Sequence, residues 1–320
     1  MKLCKYSLIL LLLISACKGR DDVSTESRDV TLITDSIFTR LPGTLVSTNN
    51  YVVWTDPFAT FFLHIISIND GKEIAKGVVI GQGPFEFNSP KIFPMSDDNV
   101  VVYDTNLLKE THLNLDNFTR VEEISNMPQK TRLATSAAMF NDELTLRLYP
   151  SDTNQIHLED STGSAISEIS IREIDIDGIE SFYSYQGDLL YNSNNNSIVY
   201  ASRFSPYISI YHLGENNSVE KVYEFNQIKE DMQRSTLSPA IWGMTLTKDY
   251  IVVQMQDCNG TQDNKPNSPP TRLYIFNYLG EIERIIELNE PILRVSGRMT
   301  DNRIFAILSS DNYKLVYLDV

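Results

Sequence analysis

The sequence predicts an all-β chain: a six-bladed β-propeller in which an N-terminal strand closes the last blade. Three observations carry that prediction. Short runs rich in Val, Ile, Tyr and Phe alternate apolar with polar residues, and turn residues interrupt them about every 8–12 positions. One strand–turn–strand phrase recurs at intervals of about 40 to 65 residues, the length of a four-stranded blade. The last copy of that phrase stops one strand short, and a spare strand stands at the other end of the chain.

From the N-terminus, MKLCKYSLILLLLISAC places Lys2 and Lys5 before an apolar run from Leu8 to Ile14, with small residues before Cys17. This is the plan of a secretory signal, and the run is too short to span a bilayer. Ile14-Ser15-Ala16-Cys17 is similar to a bacterial lipobox. That resemblance implies a lipoprotein signal peptide over 1–16 and lipidation of Cys17; the competing reading is an ordinary signal peptide that happens to hold a cysteine. The polar stretch KGRDDVSTESRD follows, poor in aromatics and suited to a flexible tether over 17–29. Asp21 and Asp22 resemble the acidic export signals of Bacteroidota surface lipoproteins. An outer membrane lipoprotein is therefore expected, on the periplasmic or the cell-surface side, with the surface favoured.

Cys4 leaves with the signal, Cys17 is lipidated and Cys258 has no partner, so the mature domain holds no disulfide. Stability must come from core burial, for which about 290 residues suffice. The formal charge of −15 becomes −17 once Lys2 and Lys5 are removed, which disfavours nucleic acid and anionic lipid head groups as partners. The membrane is reached through the lipid anchor only.

The propeller domain covers 30–320. VTLITDSIFTR, Val30 to Arg40, is the spare strand. Six hairpins with turns rich in Asn and Asp follow: GTLVSTNNYVVW, KIFPMSDDNVVVY, AAMFNDELTLRLY, DLLYNSNNNSIVYAS, WGMTLTKDYIVVQM and RVSGRMTDNRIFAIL. Each precedes one copy of the phrase, beginning at Leu63, Thr111, Ile156, Ile208, Leu273 and Lys314. Pairing the spare strand outside the truncated sixth copy would cover an open edge. A pair of β-sandwiches is the competing architecture. The best helical candidate, Asn226 to Ser235, is short.

Between the first two repeats stands GQGPFEF, Gly81 to Phe87. It resembles the G-x-G-P-G-E-F loop of the six-bladed, TolB-like β-propeller lipoproteins of Bacteroidota, with Phe85 in place of the usual Gly. The resemblance implies the same fold over the whole mature chain. With no helix after it and no Lys-Ser/Thr pair, the loop is a poor phosphate cradle and reads as a rigid crossing that aims Glu86 or packs Phe87.

In a propeller, the turns between second and third strands and the crossings between blades share one face, by convention the top. The second strands end near Trp54, Asp56, Asp104, Tyr149, Arg203, Gln256 and Asp257. Together with Glu86 they form a candidate top-face ligand site of aromatic and carboxylate groups, with Arg203 as its cation; the bland alternative is that they terminate strands and face water. Two long insertions, Asn226 to Trp242 and Gln256 to Thr271, rise on that face.

The four histidines, His64, His112, His157 and His212, fall in the third strands of successive blades and cannot converge on one metal ion. Asp56, Glu86, Asp104 and Asp257 leave room for a calcium-like ion without any EF-hand spacing to support it, so no cofactor is expected. G-x-S-x-G is absent, and no histidine stands to activate Ser205, Ser309 or Ser310, so no catalytic residue is assigned. The expected function is a membrane-anchored, non-catalytic binding module for a glycan, peptide or protein on the top face. A scaffold for envelope protein assembly is the first alternative, and a lactonase- or lyase-like propeller enzyme the second.

Overall fold

The computed structural model describes residues 23–81, 83, 86–94, 98–104, 106–107, 109–125, 134–139, 144–171, 180–227, 239–256 and 268–320. Two short N-terminal strands, β1 (Thr25–Ser27) and β2 (Thr31–Ile37), lead into six hairpin pairs. Blade one is β3 (Leu45–Ser47), β4 (Tyr51–Thr55), β5 (Phe61–Ser67) and β6 (Glu73–Val79). Blade two is β7 (Pro90–Pro94), β8 (Asn99–Asp104), β9 (Lys109–Asn114) and β10 (Thr119–Ser125). Blade three is β11 (Ser136–Met139), β12 (Leu144–Leu148), β13 (Ile156–Asp160) and β14 (Ala165–Ile169). A one-turn helix, α1 (Ser181–Ser184), lies in the crossing to blade four, which is β15 (Gly187–Asn192), β16 (Ser197–Ser202), β17 (Tyr207–Leu213) and β18 (Val219–Asn226). Blade five is β19 (Ile241–Leu246), β20 (Tyr250–Met255), β21 (Arg272–Asn277) and β22 (Ile282–Glu287). Blade six is β23 (Ile292–Gly297), β24 (Arg303–Ser309), β25 (Tyr313–Asp319) and, outermost, β2, antiparallel to β25.

The first strands β3, β7, β11, β15, β19 and β23 touch in that order, and β23 returns to β3. The sheets therefore stand as six blades around one axis, the fold the repeats predict. Every blade has a register shift between its third and fourth strands, such as Ile65/Ile66, Leu158/Glu159 and Ile275/Phe276. A bulge there adds right-handed twist, which turns the outer strand away from the inner one. The turns between these strands need a left-handed residue, and the chain supplies Gly71, Gly163 and Gly280 at φ +68, +81 and +87.

Apolar packing fills the gaps between blades. Val53, Leu63 and Ile65 of blade one meet Val100, Val102 and Leu113 of blade two, and similar clusters join three to four, four to five, five to six and six to one. Among the described residues the seam between blades two and three differs. There Arg147, buried on β12, pairs with Glu159 at 3.1 Å and Glu110 at 3.8 Å and lies over the ring of Tyr103. On the lower face, polar latches repeat. Asp98 of blade two accepts from Thr48 Oγ1 (2.7 Å) and the Asn50 amide (2.8 Å), and Asn302 of blade six accepts likewise from Thr247 Oγ1 (3.2 Å) and the Asp249 amide (3.0 Å).

The polar stretch expected to be a tether over 17–29 carries β1 near its end. Thr25–Ser27 pairs in parallel with Ile285–Glu287 and makes blade five a five-stranded sheet. Backbone bonds hold it, Ile285 N–H to Ser24 O at 3.0 Å and Arg28 N–H to Glu287 O at 3.2 Å. Most of the helical candidate at 226–235 lies outside the described residues; its first residue, Asn226, ends β18.

Candidate functional site

The acidic and aromatic residues expected on the top face are mostly committed to the fold. Asp104, at the end of β8, is fully buried. Its Oδ1 accepts the amides of Asn106 and Leu107, both at 2.9 Å, and its Oδ2 those of Asn88 (2.5 Å) and Ser89 (3.1 Å). One carboxylate thus fastens the following turn and the incoming crossing together, using the preference of Asp for backbone amides just ahead of it. Asp56 repeats the device at the end of β4, buried and bonded to the Phe58 amide at 2.9 Å. Both carboxylates are buried and held by backbone amides.

Trp54 is buried and stacked on His64, ring centroids 4.1 Å apart, and His64 Nδ1 lies 2.5 Å from Glu73 Oε1. Tyr149 is buried too, and its phenol donates to Glu159 Oε1 at 2.8 Å. Burial, reinforced by that carboxylate, pushes the phenol well above its ordinary range. These two aromatics pack between strands and form no stacking platform.

Glu86 answers for the glycines of its loop. The Gly83 amide donates to Glu86 Oε2 at 2.7 Å, and a Cβ on Gly81 would sit 2.0 Å from the same oxygen. Gly81 and Gly83 therefore clear space for a carboxylate folded back over their backbone. Phe87 follows as a buried plug in the cluster of blades one and two, with Lys109 Nζ 4.6 Å from its ring centroid. Gln256 is half-buried, with its amide on Ala240 O at 2.9 Å. Asp257 and Cys17 lie outside the described residues.

The histidines occupy β5, β9, β13 and β17, each the third strand of its blade. Among the described residues no three His, Cys, Asp or Glu side chains are grouped to hold a metal ion.

Arg203 is the exposed member of the expected set, and the structure surrounds it with charges that sequence reasoning missed. Its backbone carbonyl accepts the amides of Ala240 at 2.8 Å and Ile241 at 3.2 Å, at the start of blade five. Asp188 on β15 and Arg294 on β23 lie close enough for all three charges to act on one another. Asp188 Oδ2 accepts the Met244 amide at 3.1 Å, bridging blade four to five. Arg294 donates Nε to Gly43 O, bridging blade six to one, and Nη1 to Leu293 O at 2.7 Å. Lys91 on β7 donates Nζ to Thr135 O at 3.2 Å, bridging blade two to three.

Inner strands hold few charges, and each of these stands second or third in its strand, at the end nearest the top. Lys91 is exposed, and Asp188 and Arg294 are partly buried. Desolvation raises the Asp188 carboxyl, against the pull of Arg203 and Arg294, and lowers the Lys91 ammonium. Arg294 is lowered by burial first and by Arg203 second. A signal was present in the sequence: a lone charge early in KIFP, DLLY and ILRV, the apolar first strands of blades two, four and six.

No protein-family model matches the sequence, and no curated protein matches it. Solved structures do. A candidate exported protein of Bacteroides fragilis NCTC 9343 superposes with a TM-score of 0.60 at 13% identity, over 93% of this chain and 99% of that one. A member of the DUF4221 family from Bacteroides vulgatus gives 0.59 at 10% identity, with the same coverage of 93% and 99%. The β-propeller domain of the Myceliophthora thermophila protein Cps50 (Swd1) gives 0.51 at 9% identity over 92% of this chain and 85% of that one. Identities this low speak for architecture and not for activity, and on that footing the chain is a six-bladed β-propeller built like these two Bacteroides proteins over nearly their whole length.

Proposed function

We propose that the chain is an extracytoplasmic lipoprotein, anchored through Cys17, that serves as a non-catalytic binding module and takes its ligand at the axial mouth of the top face. One observation carries the reading. Arg203 is exposed beside Asp188 and Arg294, and no hydrogen bond or ion pair holds its guanidinium among the described residues. The carboxylates Asp56 and Asp104 are used up within the fold, so the mouth replaces them as the centre of the site. The N-terminal signal and lipobox-like motif support the anchor, and a cell-surface position on the outer membrane belongs to the same proposal.

The test has two arms. Cys17→Ala should release the chain from the membrane fraction; a variant that stays there without acyl label removes the anchor from the proposal. Thermal unfolding against neutral and charged glycans and peptides should find a ligand that stabilises the native chain, by about 2.7 kcal/mol at 100 times its dissociation constant. Stabilisation undiminished in Arg203→Ala would place binding elsewhere.

A scaffold role in the envelope is the second reading, and a separate observation favours it. Phe38 (81% exposed), Leu41, Phe58 and Phe61 stand out on the top rim of blade one, with Arg40 over the Phe58 ring at 5.2 Å. Exposed aromatic groups of this kind suit protein contacts.

A further inference from the structure

We propose that the outer edge of β22 is a docking site for an extended strand of a partner protein bearing one carboxylate, and that β1 is its resident, displaceable stand-in. The site lies on the outer wall of blade five, apart from the ligand at the axial mouth, and does not depend on it.

The outer strands β6, β10, β14 and β18 end their sheets with no further strand beside them among the described residues. The outer edge of β22 accepts one. Thr25–Ser27 run parallel to Ile285–Glu287, with Ile285 N–H on Ser24 O at 3.0 Å and Arg28 N–H on Glu287 O at 3.2 Å. A strand added to a sheet edge draws affinity from main-chain bonds and specificity from the side chains it sets against that edge.

β1 fills the site incompletely. It covers three of the six residues of β22, so Ile282–Arg284 have no strand on their outer side among the described residues. None of its three side chains is buried. Its anchor is Glu26, which stands opposite Ile286 and reaches diagonally to Arg284. The Arg284 guanidinium is held over the Tyr250 ring, 5.0 Å from its centroid. Its Nε lies 3.6 Å from Glu26 Oε1, beyond hydrogen-bond length, and among the described residues that buried atom has no hydrogen-bond partner. Glu26 is meanwhile drawn to Arg28 Nη2, 2.9 Å from the same oxygen. A guest carboxylate without that second pull would close on Arg284 and make the bond that β1 leaves unmade.

Length decides the competition. A resident strand tied to its own domain has an effective concentration of about millimolar, so a guest of equal length loses to it. A guest that pairs along the whole of Ile282–Glu287 gains three more residues of ladder and the Arg284 bond. Glu283 and Glu287 flank Arg284 on β22, and the formal charge of the chain is −15, so one well-placed carboxylate fits where an acidic run is repelled.

A fluorescent peptide of residues 20–29, RDDVSTESRD, is the probe. In the register of β1, its residues 22–27 would lie against Ile282–Glu287. Anisotropy would be followed with purified full-length chain in mild detergent. Glu26→Arg weakens the resident strand, so this chain should bind the peptide at least tenfold more tightly than the native chain does. Arg284→Glu should abolish binding of that peptide, and a peptide carrying Glu26→Arg should bind the Arg284→Glu chain while failing on the Glu26→Arg chain. Binding to none of the chains overturns the proposal, as does binding that ignores Arg284→Glu or is matched by a scrambled peptide. Because β1 buries no side chain, Glu26→Arg leaves the blades intact, and a silent result with that chain counts against the site.

Discussion

Asp104 shows how a residue that looks functional can be architectural. Its carboxylate accepts four backbone amides, two from each of two segments, and water does not reach it. Asp104→Ala would leave those donors without their acceptor, so a loss of about 3 kcal/mol or more is expected. Asp56→Ala, which removes an acceptor from one amide, should cost about 1 kcal/mol. Urea denaturation of both variants checks the ranking, and equal small losses would mean that water replaces the Asp104 oxygens. The sequence shows that both aspartates end their second strands on the top face. It does not show which way they turn, because the same Asp-x-x pattern serves a turn and a ligand equally well. Lys91, Asp188 and Arg294 were harder to read. A single charge in an apolar strand resembles a surface position until the ring places that strand on the axis.

At the scale of the element, the two N-terminal strands make unequal contributions. β1 adds three residues to blade five, and none of its side chains is buried. β2 supplies the outer strand of blade six and puts Ile37 into the cluster of Leu45, Trp54, Phe305 and Leu315. A chain starting at Val30 should therefore lose about 1 kcal/mol or less. A chain starting at Phe38 should lose about 3 kcal/mol or more and aggregate, since it gives up a buried isoleucine and bares the edge of β25. Urea midpoints and light scattering of the two truncations decide this, and a stable, soluble chain from Phe38 would show that β2 is dispensable. Alternation and turn residues made β2 legible, as they did the blades. β1 was not legible: Thr-Glu-Ser offers no apolar face, and its place depends on an exposed backbone edge of β22 that no local pattern records.

Across the whole molecule, buried phenols set an alkaline limit. Tyr103, Tyr149, Tyr191, Tyr200, Tyr211 and Tyr278 all have raised pKa values, with burial as the first cause in each. A group whose folded pKa lies above its unfolded value stabilises the fold below the unfolded pKa, and that contribution is lost as pH rises beyond it. Stability should then fall steadily above about pH 10, where unfolded tyrosines ionise. Lys91 and Arg294 work the other way but are two groups against six. Urea midpoints from pH 8 upward would show the decline, and Tyr278→Phe should make it shallower; a flat profile would mean that the phenols titrate freely in the folded ring.

The parallel pairing of β1 with β22 also bears on how the ring responds to force. A pull on the N-terminal arm reaches β1 before it reaches any blade, and a strand drawn along its own axis loads its hydrogen bonds together in shear. Because no buried side chain reinforces that strand, it would let go first and give the arm slack, while β2 stayed on β25. The chain thus carries a breakaway link ahead of its barrel of blades, one that can snap off and re-form without opening the ring.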